Sequence, residues 1–456
     1  MFENMKKLII AFTLLSMASC GIYNKYQPVE EVPENLYGEE YNSTDSTNFA
    51  DMNWRDIFTD VHLQALIDSA LAHNTDYLTA QWRIKEAEAT LLAAKLAYVP
   101  SFSLEPQITL SSTGGETPSY TYQIPLAASW EVDIFGRLHN AKKQAKALYV
   151  QSLDYQQAVR TELIANVANT YYTLLMLDEQ LALAKETATA WEETVGAARA
   201  LMNAGRYNEA GVAQMEATYY SVQTTVLELE DQIRQTENSL SMILAQTPRT
   251  YERGSLEEQV MPEELALGVP VQILANRPDV RSAERTLEAA FYNTNLARSN
   301  FYPSITLSGS VGWANATGVI TNPMQFVANA LGSLVMPLFN RGKNLSQLRI
   351  AKAQQEEAKL AFTQTLINAG NEVNSAMSTY QLCKDKTQMY ENQVKALDKA
   401  LQSTSLLMEH GTSTYLEVLT ARQSLLDAQL SQVANRFAEL QSVVTLYKAL
   451  GGGRVE

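Results

Sequence analysis

The sequence predicts an α+β membrane protein: each protomer carries four long β-strands and long antiparallel coiled-coil helices, laid down as one unit used twice. Three observations carry this reading. Apolar residues recur in steps of three and four along very long stretches that hold almost no Gly or Pro. Twice a proline closes such a run and an alternating apolar–polar run begins, in Ala97-Tyr98-Val99-Pro100-Ser101 and in Phe301-Tyr302-Pro303-Ser304. After the N-terminus no apolar run is long enough to cross a bilayer as a helix, so any crossing falls to strands.

The bulk numbers agree. Among 456 residues there are 20 Gly and 13 Pro, few breakers for so long a chain. A formal charge of −15 excludes nucleic acid as a partner, because phosphate binding needs basic patches. The four His, at positions 62, 73, 139 and 410, show no metal-ligand spacing, and Cys20 and Cys383 form no framework. Cys383, in Tyr380-Gln381-Leu382-Cys383-Lys384, reads as a small helix residue without chemistry. With no nucleophile–base pair, metal cluster or phosphate loop, the chain reads as no enzyme, and no cofactor is expected.

Taken in order, residues 1–19 read as an export signal: Lys6-Lys7, then Leu8 to Leu15 as a short apolar core. Ser16-Met17-Ala18-Ser19-Cys20 places small residues before a Cys, as a bacterial lipobox does, so Cys20 is the expected lipidation site. Each buried methylene of its acyl chains would add ~0.8 kcal/mol of membrane affinity. Residues 20–52 are polar and acidic and read as a lipidated tether.

The first repeat spans 53–250. It opens with a helical run to Leu96, for which Asn53 and Asp60 are candidate caps. Strands follow at about 101–111 and 120–133. Phe102, Leu104, Ile108 and Leu110 fall on one face of the first, and Tyr120, Tyr122, Ile124, Leu126, Trp130 and Val132 on one face of the second. By alternation alone, a lipid-facing strand pair and a half-buried hairpin fit equally well. A coiled-coil hairpin is expected over 137–247, turning at Asn203-Ala204-Gly205-Arg206-Tyr207-Asn208. Its return limb keeps Val222, Val226, Leu229, Ile233, Leu240 and Ile243 in steps that demand a supercoiled partner.

Residues 251–268 break the pattern as a linker. The second repeat, 269–456, starts with Asn276-Arg277-Pro278-Asp279-Val280-Arg281-Ser282-Ala283-Glu284, which a capped helix start explains. Strands are expected at about 303–314 and 326–338, the last less cleanly alternating, and a hairpin over 341–450. Phe339 and Arg341 echo Phe135 and Arg137, and Gly411 echoes Gly205. Such a repeat implies internal pseudo-symmetry.

The lipobox, the duplicated strand-pair and coiled-coil unit, and the Asn-Arg-Pro-Asp run together resemble the outer-membrane efflux family, in particular its TolC-like lipoprotein members from RND-type systems. The resemblance implies a homotrimer with a shared 12-strand β-barrel on an α-helical barrel. It also implies outer-membrane lipid around the barrel, a periplasmic membrane-fusion adaptor and an inner-membrane RND pump as partners. Physical argument reaches part of this alone, since four strands cannot close a barrel and open edges cannot sit in lipid. Two copies would give a barrel filled by its own side chains, and three leave room for a channel.

The resemblance implies that the turns around Gly205, Arg206, Gly411 and Thr412 meet the adaptor. It also implies a periplasmic gate formed by Leu416, Glu417 and Thr420. Thr420 stands where the family often has Asp, so Glu417 is the nearby carboxylate. Leu416 and Glu417 also fit an ordinary heptad and surface reading. The functional alternatives are an exit duct for small molecules, the duct of a type I protein secretion system, and a non-porous periplasmic scaffold.

Overall fold

A computed structural model describes residues 23–28, 53–112, 114, 119–260, 277–315, 325–410 and 415–452. Among them lie eight helices and five strands: α1 Trp54–Ile57, α2 Val61–His73, α3 Thr75–Leu96, β1 Ser101–Leu104, β2 Gln107–Ser111, β3 Ser119–Val132, α4 Arg137–Asn203, α5 Glu209–Ile243, α6 Pro278–Ser299, β4 Ser304–Asn315, β5 Gln325–Val335, α7 Lys343–Glu409 and α8 Tyr415–Ala449. Helices α4 and α7 each have 67 residues, about 100 Å at 1.5 Å per residue.

Both candidate caps are used. Asn53 Oδ1 accepts from the Arg55 amide at 3.0 Å, and Asp60 Oδ1 accepts from the His62 amide at 2.7 Å. The expected first helix is therefore divided into α1, α2 and α3.

One compact unit is built of Trp82–Asp154 and Arg281–Thr365 with residues 23–28. It contains an antiparallel sheet in the order β1-β3-β4-β5, with β2 also on β3. A single strand is expected over 101–111, and the structure splits it at Glu105-Pro106 without changing register: Leu104 faces Leu126 and Gln107 faces Gln123. Two prolines explain the lapse, since Pro106 on one strand and Pro125 on the other both lack the N–H a ladder needs. The last strand ends at Val335, short of the expected 338.

The second unit is built of residues 53–81, Tyr155–Val280 and Leu366–Glu456. Its clearest core lies between α4 and α5. Leu177, Ala184, Ala188, Trp191, Val195 and Ala198 pack with Val212, Met215, Val222, Val226 and Leu229. The spacing on both helices is the alternating three-and-four step of a coiled coil, and Lys185–Glu230 and Arg199–Glu216 pairs flank it.

Each unit draws on both repeats, and the repeats match element for element. Helices α3 and α6 have 22 residues each, α4 and α7 have 67, and α5 and α8 have 35. Equivalent positions differ by 203 up to the first strand of each hairpin, as from Ser101 to Ser304. From the second strand onward they differ by 206, as from Arg137 to Lys343 and from Glu209 to Tyr415. The change falls in the loop: Ser111 pairs with Ser119, whereas their counterparts Ala314 and Gln325 lie three positions farther apart. This corrects the sequence echo of Phe339 with Phe135. The true counterpart of Gly136, at φ +69°, is Gly342, at φ +78°, each directly before a 67-residue helix.

Candidate functional site

The sheet sorts its side chains by polarity. Registers place Leu104, Leu126 and Val311 in one row, and Ile124, Trp313 and Phe326 in another. Ile108, Tyr122, Trp130, Leu307 and Leu334 stand on the same face. Most of these remain exposed within the chain, Ile108 by 79% and Phe326 by 65%. The opposite face carries Ser103, Gln107, Thr109, Thr121, Gln123, Ser129, Glu131, Thr306, Ser308, Ser310 and Ser333. Val327, Leu331 and Val335 interrupt that polar face on β5, which is why this strand reads poorly as alternation. Exposed apolar side chains recurring across neighbouring strands of one face mark an interaction or membrane surface. It fits hydrocarbon on one side and water on the other.

At the far end of the α4–α5 hairpin, the Gly205 amide donates to the Met202 carbonyl and the Arg206 amide to the Leu201 carbonyl, both at 2.9 Å. This is a Schellman end, and Gly205, at φ +70°, takes the left-handed position that other residues enter only with strain. Asn208 Oδ1 then caps α5 through the Gly211 amide at 2.8 Å. A Cβ on Gly211 would overlap the Tyr207 ring, and burial pushes the Tyr207 hydroxyl pKa up. Gly205 and Arg206 are exposed, as a docking turn requires.

Helix α8 begins near the corresponding tip, and its sides are distinct. At about 100° per residue, Leu416, Glu417 and Thr420 share one sector, and Val418, Leu419, Arg422 and Leu426 share the opposite one. The second group packs inward: Val418 and Leu426 are buried, and Leu419 joins the α4–α5 core. Arg422 lies 5.7 Å over the Trp191 ring, with Nη1 3.5 Å from Thr194 Oγ1. The first group points away, with Leu416 66% exposed. Thr420 returns its hydroxyl to the Leu416 carbonyl at 2.8 Å. Exposed Asp427, two turns along, stands on the same side, a carboxylate that sequence reading passed over. Cys20, Gly411 and Thr412 lie outside the described residues.

Sequence reading also missed two polar anchors. Arg277, with its side chain 5% exposed, donates to Asp279 Oδ1 and Oδ2 at 3.0 and 2.7 Å, to Glu372 Oε2 at 2.7 Å and to the Ala449 carbonyl at 2.8 Å. Burial works against its charge, but Asp279 and Glu372 outweigh that and push the guanidinium pKa up. Asp60, besides capping α2, accepts from Tyr171 Oη at 2.7 Å and Gln259 Nε2 at 2.8 Å. Burial alone would raise the Asp60 carboxyl, and these bonds with the His62 and Leu63 amides hold it below its ordinary value. The Arg277–Asp279 spacing and the Asp60 cap were visible in sequence; Glu372, Ala449, Tyr171 and Gln259 come from distant segments.

The outer membrane efflux protein family matches the chain over residues 66–246 and 269–452. Cation efflux system protein CusC of Escherichia coli is 27% identical over 453 residues, 98% of this chain and 99% of its own. Toluene efflux pump outer membrane protein TtgC of Pseudomonas putida is 28% identical over 471 residues, 98% of this chain and 96% of its own. The open state of the Neisseria gonorrhoeae MtrE outer membrane channel superposes with a TM-score of 0.84 at 28% identity, covering 94% of this chain and 97% of that one.

Proposed function

The chain belongs to the outer membrane efflux protein family, and from that premise we propose that it serves as the outer-membrane channel of a tripartite efflux pump, a passive exit duct for small molecules. Three copies close a 12-strand barrel, because each contributes four strands and both sheet edges are open among the described residues. The carrying observation is the sheet: one face is apolar across the strands and the other is largely polar on β1 to β4, as a wall between lipid and water has to be. The turn at Gly205–Arg206, and the equivalent positions Gly411 and Thr412, meet the periplasmic adaptor and, with it, the inner-membrane RND pump. Cys20 carries the lipid anchor in the outer membrane.

Relatives named for a cation efflux system and a toluene pump match this chain over 98% of its length at similar identity, which supports a duct whose cargo is chosen upstream. Leu416 and Glu417 form the periplasmic constriction, with Thr420 one turn on. Their outward sector is the side of α8 that its own hairpins leave uncovered, and Arg422 on Trp191 holds the helix from behind. The test is single-channel conductance in planar bilayers. Leu416→Ala and Glu417→Ala should raise conductance or weaken cation selectivity. Unchanged conductance in both variants removes the gate assignment while leaving the duct reading intact.

A further inference from the structure

The two 67-residue helices begin with a charge that opposes their own dipoles. A helix N-terminus carries partial positive charge and ordinarily attracts Asp or Glu, yet neither α4 nor α7 has an acidic residue in its first turn. From Arg137 to Leu153, α4 holds four Lys or Arg and no Asp or Glu; from Lys343 to Gln355, α7 holds three and none. The whole chain has 35 basic against 50 acidic residues, so these stretches reverse its balance. Both repeats keep the pattern. The displacement of 206 that relates α4 to α7 carries Arg137 onto Lys343, Lys143 onto Arg349 and Lys146 onto Lys352. Arg137 is paired with Glu131, whereas none of Lys142, Lys143, Lys146, Arg349 and Lys352 has a carboxylate partner among the described residues.

These cations stand where the sheet ends. Arg137 Nε donates to Glu131 Oε1, on β3, at 2.7 Å. Lys142 Nζ lies 5.8 Å over the Tyr98 ring, and the Tyr98 carbonyl accepts from Trp130 Nε1 at 3.0 Å. Trp130 belongs to the apolar face of the sheet, so Lys142 stands at the margin of the face that meets lipid. Lys143 and Lys146 lie within about 100° of Lys142 around the helix. Lys143 is half-buried, with Nζ 5.5 Å over the Tyr292 ring; Lys142, Lys146, Arg349 and Lys352 are exposed. Along their helices the five cations lie about 8–14 Å from the first residue at 1.5 Å per residue. A headgroup layer about 5–8 Å deep, extended by a Debye length of about 8 Å, covers that span.

We propose that Lys142, Lys143, Lys146, Arg349 and Lys352 form a basic collar that binds the phosphate groups of anionic phospholipid in the leaflet beside the helices. The inference rests on the barrel reading above and adds to it the class of lipid selected. Unpaired cations gathered near the start of a helix repel one another and its dipole, and a phosphate offsets both. The headgroup must carry net negative charge, because a zwitterionic lipid brings its own ammonium to its phosphate. An apolar sheet face alone cannot tell lipids apart, whereas a basic rim can. The aromatic pair Tyr98 and Trp130 suits the same depth, where amphipathic rings sit at the headgroup level.

Lipid retention by the full-length trimer in dodecyl maltoside tests this. Dioleoyl phosphatidylglycerol and dioleoyl phosphatidylcholine are added at equal concentration, and the lipid that co-elutes with the trimer on gel filtration is quantified. The parent protein should retain phosphatidylglycerol several-fold better, and the preference should vanish at about 1 M NaCl, where the Debye length is about 3 Å. Combining Lys143→Gln, Lys146→Gln, Arg349→Gln and Lys352→Gln should lower the retained ratio about fivefold or more, since one cation near an anionic surface contributes about fivefold. Combining Lys143→Arg, Lys146→Arg and Lys352→Arg should preserve it. Lys384→Gln with Lys386→Gln and Lys399→Gln, farther along α7, should also leave it unchanged. A parent ratio near one, a ratio that survives high salt, or equal loss in the distant set overturns the collar. If the four-Gln variant keeps the ratio but shifts the reversal potential in planar bilayers toward cations, the cations line the lumen and the proposal fails. Should that variant not assemble, the salt dependence of the parent and the ratio in the Arg variant decide. A parent protein with neither trimers nor conductance overturns the duct reading, and this proposal with it.

Discussion

Replacing Leu126 by Arg tests which face of the sheet meets lipid. Leu126 is the eighth of the 14 residues of β3, with Leu104 opposite on one side and Val311 on the other. At about 3.3 Å per residue and a tilt of about 40°, that strand covers about 35 Å of membrane normal, so Leu126 falls near the midplane of a hydrocarbon core about 30 Å thick. An Arg there costs about 2–4 kcal/mol on the lipid face, and the lost leucine burial adds about 1.5–3 kcal/mol. The sum, about 3.5–7 kcal/mol, reaches the lower end of the whole stability of an ordinary domain. Gln123→Arg, three residues earlier on the polar face opposite Gln107 and Ala314, should cost less than about 1 kcal/mol. The assay is the heating temperature at which trimers in outer-membrane fractions dissociate in SDS. Leu126→Arg should abolish or strongly destabilise the trimer, and Gln123→Arg should leave it near the parent value. Equal damage from both, or the reverse order, refutes the assignment of the faces.

Two further outcomes follow from the buried anchors. Arg277→Ala should lower stability by about 2–4 kcal/mol: the Ala449 carbonyl loses its donor inside, whereas the half-exposed Asp279 and Glu372 recover water. Arg277→Lys should recover only part of that, since an ammonium cannot hold Asp279 through two bonds, and thermal melts of the purified protein measure both. Asp60 has a lowered folded-state pKa, so its contribution is complete above the ordinary 3.8 of an aspartate and is lost as pH falls through the lowered value. Stability of the parent protein should therefore decline more steeply below about pH 4 than that of Asp60→Asn, a difference readable from melts across pH 2–7.

Much of the fold is legible in the sequence because it is written in periods. The step from helical spacing to alternation at Pro100 and Pro303 locates the two strand pairs, and the three-and-four steps of α5 announce its partner helix. Both signals are local, and local signals survive in a linear chain. What stayed hidden depends on register between distant segments. Pro106 looks harmless until Pro125 is found nearly opposite, and only together do they interrupt the ladder. The repeat offset at Phe339 was misread because similar residue types two positions apart keep the same face, and only the backbone angles of Gly136 and Gly342 distinguish them. At the proposed gate, residue types alone left Leu416 balanced between heptad and aperture. Its exposure, against burial of Val418 and Leu426, now separates the sides of α8.

The two repeats meet at β3 and β4 within the chain, and the outer strands of the sheet, β1–β2 and β5, have an open edge among the described residues. Within the chain the helices of the two repeats are joined by polar contacts: Gln151 bonds Thr286, Asn295 bonds Asn140 at 3.3 Å, and Arg281 pairs with Asp154 at 2.9 Å. The peptide chain already holds those surfaces at a high effective concentration, so their contacts need to fix geometry more than supply affinity. Separate copies have no such tether, and association must first overcome lost translational and rotational freedom. The counterparts on the outer edges are accordingly apolar where the internal ones are polar. Trp82 stands for Arg285, Leu92 for Asn295, Leu96 for Ser299, Leu345 for His139 and Ile350 for Gln144. All five are exposed in the single chain, Trp82 by 71%. Burying them against a neighbour supplies the association free energy. A duplicated unit has thus kept one geometry and diverged in chemistry, side by side, according to whether the chain itself does the joining.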